Sequence, residues 1–188
     1  EGSRQSSEPR KGNTKIMIAI AKGMTDKEIK EAAEYFGSMK WTPWIKVIES
    51  ATAPKTHINN GLYLKMEGGG TEPIRQRIIE VPVNAEATEI LRNPRSSFEA
   101  FVPVGSVKKG EALAKTKQCA VCHGADLKGM GPVPGLAGRS PSYVARQMYD
   151  MQTGARKGLW VDLMKPVVAN MNEEDFVSIA AYTASLAP

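Results

Sequence analysis

The stretch Cys119-Ala120-Val121-Cys122-His123 decides how this chain is interpreted. A C-x-x-C-H run is typical of a site where haem c is attached covalently. Two thiols add to the two vinyl groups of the haem, and the adjacent imidazole lies under the iron as an axial ligand. These five residues therefore supply both covalent links and one iron ligand.

Three other uses of the two cysteines fit this sequence less well. A redox dithiol of the thioredoxin type requires a βαβ context, which the flanking sequence lacks. A zinc site lacks donors, because Cys119 and Cys122 are the only cysteines and His57 is the only other histidine. A structural disulfide gives the adjacent histidine no role. We therefore predict one covalently bound haem c.

The composition is that of a globular protein. The chain has 188 residues, of which 41% are hydrophobic and 24% charged, enough for one large or two small domains. Its net charge is +5, and two ionised haem propionates would lower this to about +3, which favours an acidic partner. No basic run with interleaved aromatic residues indicates nucleic-acid binding. No apolar run approaches the ~18 residues that suggest a membrane span.

Covalent haem attachment also predicts a location. In bacteria the thiols are joined to haem outside the cytoplasm, so we expect an exported, periplasmic protein. No signal peptide opens the chain, and we therefore expect a mature or trimmed form.

Composition and motifs along the chain predict three segments. Residues 1–39 contain a polar opening stretch, Glu1–Lys15, and then the capping box Thr25-Asp26-Lys27-Glu28, which begins an amphipathic helix. Residues 40–104 form a Pro/Gly-rich connector. Residues 105–188 form the haem domain. Its helices are expected to be capped by Ser106, Ser140 and Asn172.

The connector is predicted to wrap around the domains rather than to build a core, and to contain one β-hairpin. The strands of this hairpin are expected at Gly61–Met66 and Ile74–Val81, on either side of the Gly-rich turn Glu67–Thr71. The glycines precede neither a Lys-Ser or Lys-Thr pair nor a helix, so the sequence does not indicate phosphate binding. His57 is assigned no role.

A comparison of the chain with itself indicates a duplication. Shifted by 147 positions, Thr25 and Glu28 fall without a gap on Asn172 and Asp175, which form the corresponding capping pair. Five further residues match: Met17, Met24, Ala33, Tyr35 and Ser38 fall on Met164, Met171, Ala180, Tyr182 and Ser185.

The duplication predicts that residues 1–39 are the closing part of a first haem domain, whose own C-x-x-C-H is not in this chain. Either a dihaem protein has been cut within its first domain, and we then expect a second haem in the untruncated parent protein, or the helix survives as a degenerate half without cofactor. Met17 would correspond to a ligand of that haem, although a buried, gap-filling methionine is the simpler interpretation.

The iron of the haem domain needs a second axial ligand. No histidine follows His123, so methionine sulfur is the donor available. Four of the five later methionines are less suitable. Met148 and Met151 are predicted core residues of a helix, Met130 is too close to His123 in the chain, and Met171 is predicted to staple a helix to the core. Met164 remains, in a short predicted loop before Pro166, and we expect it to bind the iron.

Ligation by histidine and methionine favours electron transfer over catalysis. A thioether stabilises ferrous iron and raises the reduction potential, and a filled sixth position leaves no site for oxygen or substrate. The imidazole of His123 is expected to donate its other N–H to a carbonyl, for which we predict that of Pro134.

Five further motifs accompany the haem-attachment site: Pro134-Gly-Leu136-Ala-Gly138, Tyr143-x-x-Arg146-Gln147, Thr153-Gly-Ala-Arg156, Met164-x-Pro166 and Ala180-Ala-Tyr182. With these motifs the chain resembles class I cytochromes c, most closely the cytochrome c4-like dihaem proteins of bacterial periplasms. The resemblance implies a mainly α fold: a cytochrome c-like helical haem domain, preceded by a partial domain and a connector with a β-hairpin.

The resemblance also implies the surroundings of the haem. On that pattern His123 and Met164 bind the iron, and Leu136 packs on the ring unless it is an ordinary core leucine. The ring is held by Cys119 and Cys122, and Pro134 orients the imidazole. Donors to the haem propionates, unless they are solvated surface residues, would be Arg139, Tyr143 and Arg146. A positive rim that attracts an acidic redox partner would consist of Lys108, Lys109, Lys117 and Lys128.

Three functions are compatible with these features. The first is a carrier of single electrons between redox proteins, which is not itself an enzyme. The second is an electron-transfer subunit of a dehydrogenase or oxidase complex, with the connector as docking surface. The third is a catalytic or gas-sensing haem protein, which requires an open sixth position on the iron.

Overall fold

The computed structural model describes residues 14–158 and 160–188. Its helices are α1 Thr14–Gly23, α2 Asp26–Ser38, α3 Ala85–Glu89, α4 Ser106–Thr116, α5 Cys119–His123, α6 Pro141–Gln152, α7 Val161–Val168 and α8 Glu173–Ser185. Its strands are β1 Ile45–Glu49, β2 Thr52–Pro54, β3 Thr56–Asn59, β4 Leu62–Lys65, β5 Thr71–Pro73, β6 Ile79–Pro82, β7 Phe98–Val102, β8 Gly129–Met130 and β9 Val133–Pro134.

These elements form two compact units. One contains the described residues up to Trp41 together with Gln147–Asn170, and the other contains Thr42–Arg146 and Met171–Pro188. Within the described part of the chain, no helix has both the length and the apolar character needed to cross a membrane.

Helix α2 begins at the capping box that the sequence predicts. The hydroxyl of Thr25 accepts a hydrogen bond from the amide of Glu28 at 3.3 Å, and the Glu28 carboxylate accepts one from the Thr25 amide at 2.7 Å. These reciprocal bonds satisfy two N–H groups at the start of the helix. The Thr25 amide, and after it the Thr25 hydroxyl, donates to the Glu28 carboxylate and lowers the pKa of Glu28. The apolar face of α2 is nevertheless exposed, with Phe36 at 68% exposure.

Helix α1 covers a segment for which the sequence predicted no helix. It begins with the last two residues of the predicted polar stretch Glu1–Lys15, and the rest of that stretch lies outside the described residues. The side chain of Met17, which lies in α1, is 64% exposed. The interpretation of Met17 as a buried, gap-filling residue is therefore wrong for this structure.

The connector contains a β-hairpin, but at other residues than predicted. Strand β3 pairs with β4 and β2 pairs with β5, so the chain runs out and back and turns at Asn60-Gly61. Asn60 and Gly61 both have positive φ angles, of 48° and 81°, as a tight two-residue hairpin turn requires. The Gly-rich stretch lies in the returning arm, between β4 and β5. The two predicted strands therefore do not pair with each other.

The connector also has its own core, which corrects the prediction that it only wraps around other segments. Strands β1, β7 and β6 form a three-stranded sheet in which β1 runs parallel and β6 antiparallel to the central β7. A buried apolar cluster contains Ala53, Ile74, Ile79 and Val81, with Phe101 packed against it. The physical reason is that the connector's prolines lie at strand ends and turns, where they do not interrupt the pairing.

In the haem domain, helices α4 and α8 pack so closely that one position admits only glycine. A Cβ atom added to Gly110 would lie 1.9 Å from the carbonyl oxygen of Ser178 and 2.7 Å from the Cβ of Tyr182. Helix α8 begins at the predicted cap, because Asn172 accepts a hydrogen bond from the amide of Asp175 at 3.0 Å. Eight residues of α8 are buried.

The start of α4 differs from the prediction. Gly105 is the N-cap, with φ 85°, and Ser106 is a buried first residue rather than a cap. The carboxylate of Glu49, on strand β1, accepts the hydrogen bond from the amide of Val107 at 2.9 Å. A carboxylate from the connector thus replaces the hydroxyl that the sequence predicted.

Candidate haem site

The two cysteines lie in the short helix α5 and are both free thiols. Cys119 and Cys122 are three positions apart, a spacing that places two side chains on the same face of a helical turn. Cys119 is partly buried, and this burial raises the pKa of its thiol, whereas Cys122 is exposed. Among the residues that the structure describes, no three His, Cys, Asp or Glu side chains gather as a metal site.

The imidazole of His123 is buried and held in one orientation. Its Nδ1 lies 2.7 Å from the carbonyl oxygen of Pro134, the acceptor that the sequence analysis expected. A backbone carbonyl can only accept a hydrogen bond, so Nδ1 must carry the proton. In the neutral ring the lone pair is therefore on Nε2, the nitrogen that would bind a metal.

The loop after His123 positions Pro134 by backbone contacts. The carbonyl of Leu127 accepts hydrogen bonds from the amides of Leu136 and Ala137, at 2.7 and 3.0 Å. Strands β8 and β9 pair within the same loop. Gly135 lies so close to the loop that an added Cβ would be 2.7 Å from the carbonyl oxygen of Lys128. The acceptor of the His123 hydrogen bond is thus part of a tightly packed segment.

The residues expected near the haem propionates differ in their contacts. The Nε of Arg139 donates a hydrogen bond to the Gly135 carbonyl at 2.6 Å, so Arg139 is not simply a solvated side chain. Leu136 is half-buried, Tyr143 is 38% exposed and Arg146 is exposed. Of the three predicted propionate donors Arg139, Tyr143 and Arg146, only Arg139 therefore has a described side-chain contact with the loop after His123.

Met164 lies in helix α7, so the prediction of a short loop at this position is wrong. Its side chain is partly buried, and it belongs to the unit formed by the chain up to Trp41 and Gln147–Asn170. Pro166 lies inside the helix and does not end it. Among the alternative methionines, Met148 and Met171 are buried and Met130 is 55% exposed.

The four lysines predicted to form a positive rim are not all available to a partner. Lys109 forms ion pairs with Glu174 at 2.8 Å and with Asp175 at 3.6 Å, and the Glu174 contact raises the pKa of Lys109. Lys128 donates a hydrogen bond to the carbonyl of Pro188 at 3.1 Å. Lys108 is exposed and Lys117 is partly buried. The ion pairs of Lys109 therefore reduce the local positive charge, whereas the hydrogen bond of Lys128 to a neutral carbonyl leaves its charge in place.

Two carboxylates that the sequence analysis did not single out hold this domain to the connector. Glu49 caps α4, and Glu80, on strand β6, accepts hydrogen bonds from Ser140 and Ser142 at the start of α6. No local pattern could have identified Glu80, because its partners lie 60 and 62 positions later in the chain.

The residues brought together here fit haem c. Two free thiols on one helical turn can form two thioether links, and the next residue presents an imidazole whose outer nitrogen is available to iron. A carbonyl behind the imidazole fixes the tautomer, as is usual for a metal-binding histidine. The described residues offer no competing set of metal donors.

Comparison with known proteins agrees with this assignment. Residues 107–187 match the family model described as Cytochrome c. Cytochrome c-554(548) of Halomonas halodenitrificans is 38% identical over 80 residues, a match that covers 40% of this chain and 96% of that protein. Cytochrome c4 of Pseudomonas aeruginosa is 40% identical over 73 residues, covering 38% of this chain and 35% of that protein.

A third relative carries a functional name. The thiosulfate dehydrogenase electron acceptor of Stutzerimonas stutzeri is 36% identical over 75 residues, covering 39% of this chain and 33% of that protein. The matched region thus spans about a third of the second and third relatives, but nearly all of the first. The chain belongs to the cytochrome c family, as a class I c-type cytochrome close to cytochrome c4 that binds haem c covalently.

Proposed function

We propose that this protein is a periplasmic carrier of single electrons, with a haem c whose iron is bound by His123 and Met164. The observation that carries the proposal is the 2.7 Å contact between His123 Nδ1 and the Pro134 carbonyl. It leaves Nε2 as the donor to iron and makes the imidazole more basic. The bound haem would supply a one-electron couple between ferric and ferrous iron.

Met164 is supported as the second ligand by the surroundings of the other methionines. Met148 and Met171 are buried, and Met130 is 55% exposed in the loop after the attachment motif. Met151 is partly buried, as Met164 is, and lies near the end of helix α6. Met164 is partly buried near the start of a helix, where the backbone is fixed and the side chain retains access. A thioether in this position would favour electron transfer, because it fills the sixth position of the iron.

A second candidate function is that of an electron-transfer subunit in a dehydrogenase complex. One relative is named a thiosulfate dehydrogenase electron acceptor, which favours a role beside a dehydrogenase. The connector would offer the docking surface, since Ile58 and Tyr63 face each other across the hairpin and are 67% and 41% exposed. Stable co-purification with a larger redox enzyme would favour this function over a freely diffusing carrier.

Substituting Met164 by alanine tests the proposed ligand set. We expect the ferric parent protein to show the weak far-red charge-transfer band of iron bonded to methionine sulfur, and the Met164→Ala variant to lack it. Visible and near-infrared absorption of the purified ferric proteins measures this directly.

The matched control for that experiment is Met130→Ala. Met130 is exposed, so its removal should leave both the fold and the band unchanged. A band that persists in Met164→Ala would show that another sulfur binds the iron. A parent protein without the band would favour an open or differently ligated haem, and with it a catalytic or sensing function.

We also propose that residues 1–39 are the closing part of the first haem domain of a dihaem cytochrome. Helix α2 matches α8 in sequence and in its capping box, yet the two differ in burial. Phe176 of α8 is 6% exposed, whereas Ile29, its counterpart in α2, is 47% exposed. An apolar face of this kind is suited to pack against a helix like α4.

The intact mass of the protein isolated from its natural host tests this second proposal. We expect a mass larger than 20.4 kDa plus one haem, by an additional haem and the polypeptide that carries it. A mass equal to 20.4 kDa plus one haem would contradict the proposal.

A further inference from the structure

We propose that Glu80, on connector strand β6, is a positioning residue for His123. It acts through the start of helix α6 and the loop that carries Pro134. The inference rests on the proposed function, because it concerns the histidine assigned to the iron.

The Glu80 carboxylate completes the cap of helix α6. The first helical residue, Pro141, has no N–H to satisfy. The amide of Ser142 donates to Glu80 Oε1 at 2.6 Å, and the amide of Tyr143 donates to the Ser140 hydroxyl at 3.2 Å. That hydroxyl donates in turn to the carboxylate, with oxygens 2.8 and 2.9 Å away. The N–H groups of the first turn are thus satisfied by one serine and one distant glutamate.

Strand β6 provides a rigid base for this carboxylate. Glu80 lies opposite Ala100 of the central strand β7, and its neighbours Ile79 and Val81 are buried, at 6% and 0% exposure. Side chains alternate between the two faces of a strand, so the anchoring of Ile79 and Val81 directs Glu80 to the other face. The position of Ser140 and Ser142 is therefore fixed by the connector sheet and not by the loop alone.

A short series of contacts leads from this cap to the histidine. Arg139 directly precedes Ser140, and its Nε donates to the carbonyl of Gly135 at 2.6 Å. Gly135 directly follows Pro134, whose carbonyl accepts the hydrogen bond from His123 at 2.7 Å. Glu80 is thus connected to the imidazole through hydrogen bonds and covalently linked neighbouring residues. A looser cap at Ser140 would loosen the carbonyl that orients His123.

The expected effect on the haem has a defined direction. A weaker hydrogen bond at Nδ1 makes the imidazole a poorer electron donor, which stabilises ferric iron less and raises the reduction potential. Removal of the negative charge of Glu80 raises the potential as well. Two variants separate these causes: Glu80→Gln removes the charge and retains an acceptor for the Ser142 amide, whereas Glu80→Ala removes both.

The test compares Glu80→Ala, Glu80→Gln and the matched control Glu49→Ala in the haem-loaded protein. Glu49 caps α4 through Val107 and has no described contact with Arg139, so its variant reports on the loss of a comparable cap elsewhere. The readouts are the reduction potential and, by NMR, the hydrogen-exchange rates of the Ser142 amide and of His123 Nδ1–H. In Glu80→Ala we expect both exchange rates to rise, by at least about tenfold at Ser142 because its acceptor is charged.

The outcomes distinguish this inference from a simple capping role. Support consists of a larger rise in potential in Glu80→Ala than in Glu80→Gln, with faster His123 exchange in Glu80→Ala alone. Equal potentials in the two Glu80 variants and unchanged His123 exchange would overturn the inference, even if Glu80→Ala melts at a lower temperature. If Glu80→Ala does not fold, Ser140→Ala replaces it. This variant keeps the charge of Glu80, so faster His123 exchange together with a higher potential than the unsubstituted protein supports the inference, and unchanged His123 exchange overturns it.

The proposed function is tested separately in these samples. Absence of the far-red band from the unsubstituted protein would contradict His/Met ligation. The exchange rates at Ser142 and His123 would still test whether Glu80 positions His123. If the unsubstituted protein shows the band but His123 exchange is unchanged in the Glu80 variants, only the role of Glu80 is contradicted and the proposed ligation stands.

Discussion

Gly110→Ala is expected to prevent the stable packing of helices α4 and α8. The added methyl carbon would lie 1.9 Å from the carbonyl oxygen of Ser178 and 2.5 Å from its carbonyl carbon, both backbone atoms that no side-chain rotation can move aside. Overpacking of an ordinary core costs about 1–3 kcal/mol, and a collision with backbone lies at or above the upper end of that range. We therefore expect a loss of at least about 3 kcal/mol in the free energy of unfolding, measured by urea denaturation of the haem-loaded protein.

A second glycine-to-alanine change provides the control. Gly37 lies in helix α2, and a Cβ added there would meet no atom within 4 Å. Alanine is favoured over glycine in a helix interior by roughly 0.5–1 kcal/mol, so Gly37→Ala should leave stability unchanged or raise it slightly. Equal stabilities for the two variants would show that α4 and α8 do not approach as closely as the structure indicates.

The double substitution Cys119→Ala/Cys122→Ala is expected to remove every covalent link to haem. Both thiols are free, and they are the only cysteines in the chain, so no other side chain can form a thioether with a vinyl group. The 188-residue polypeptide printed here, expressed with a cytochrome c maturation system, should have a mass of 20.4 kDa plus one haem under denaturing conditions, and its double variant should have the mass of the polypeptide alone.

The single variants serve as controls for this experiment. Cys119→Ala and Cys122→Ala each leave one thiol in the same helix as His123, the proposed iron ligand, and should retain haem through one link. Haem that remains on the denatured double variant would contradict attachment at this motif. Absence of haem from the unsubstituted polypeptide, when it is expressed with a cytochrome c maturation system, would also contradict attachment at this motif.

The features that the sequence predicted correctly are local ones. The capping box at Thr25 and Glu28, the caps of α6 and α8 by Ser140 and Asn172, and the acceptor at Pro134 all link residues within eleven positions of each other. Such contacts depend on backbone geometry that neighbouring residues set for themselves. The proposed haem-attachment motif is local as well, because its chemistry is contained in five consecutive residues.

The predictions that the structure corrects concern contacts between distant segments, or places where two local signals compete. Asn60-Gly61 is a strong hairpin signal in the sequence, and this pair, rather than Gly68–Gly70, forms the turn. Ser106 carries a good capping side chain, yet it is buried and Glu49 makes the cap instead. Met164 was expected in a loop because Pro166 follows it, whereas the helix continues through that proline.

The sequence by itself determined the cofactor and the family, because two thiols at a fixed spacing are what thioether links to haem require, and the adjacent imidazole is what the iron requires. The tertiary structure alone decided that the connector is a β-sheet with its own core and that its glutamates cap two helices of the haem domain. Contacts of this kind form only when loop closure brings distant residues together, and their free energy depends on the packing of the whole unit.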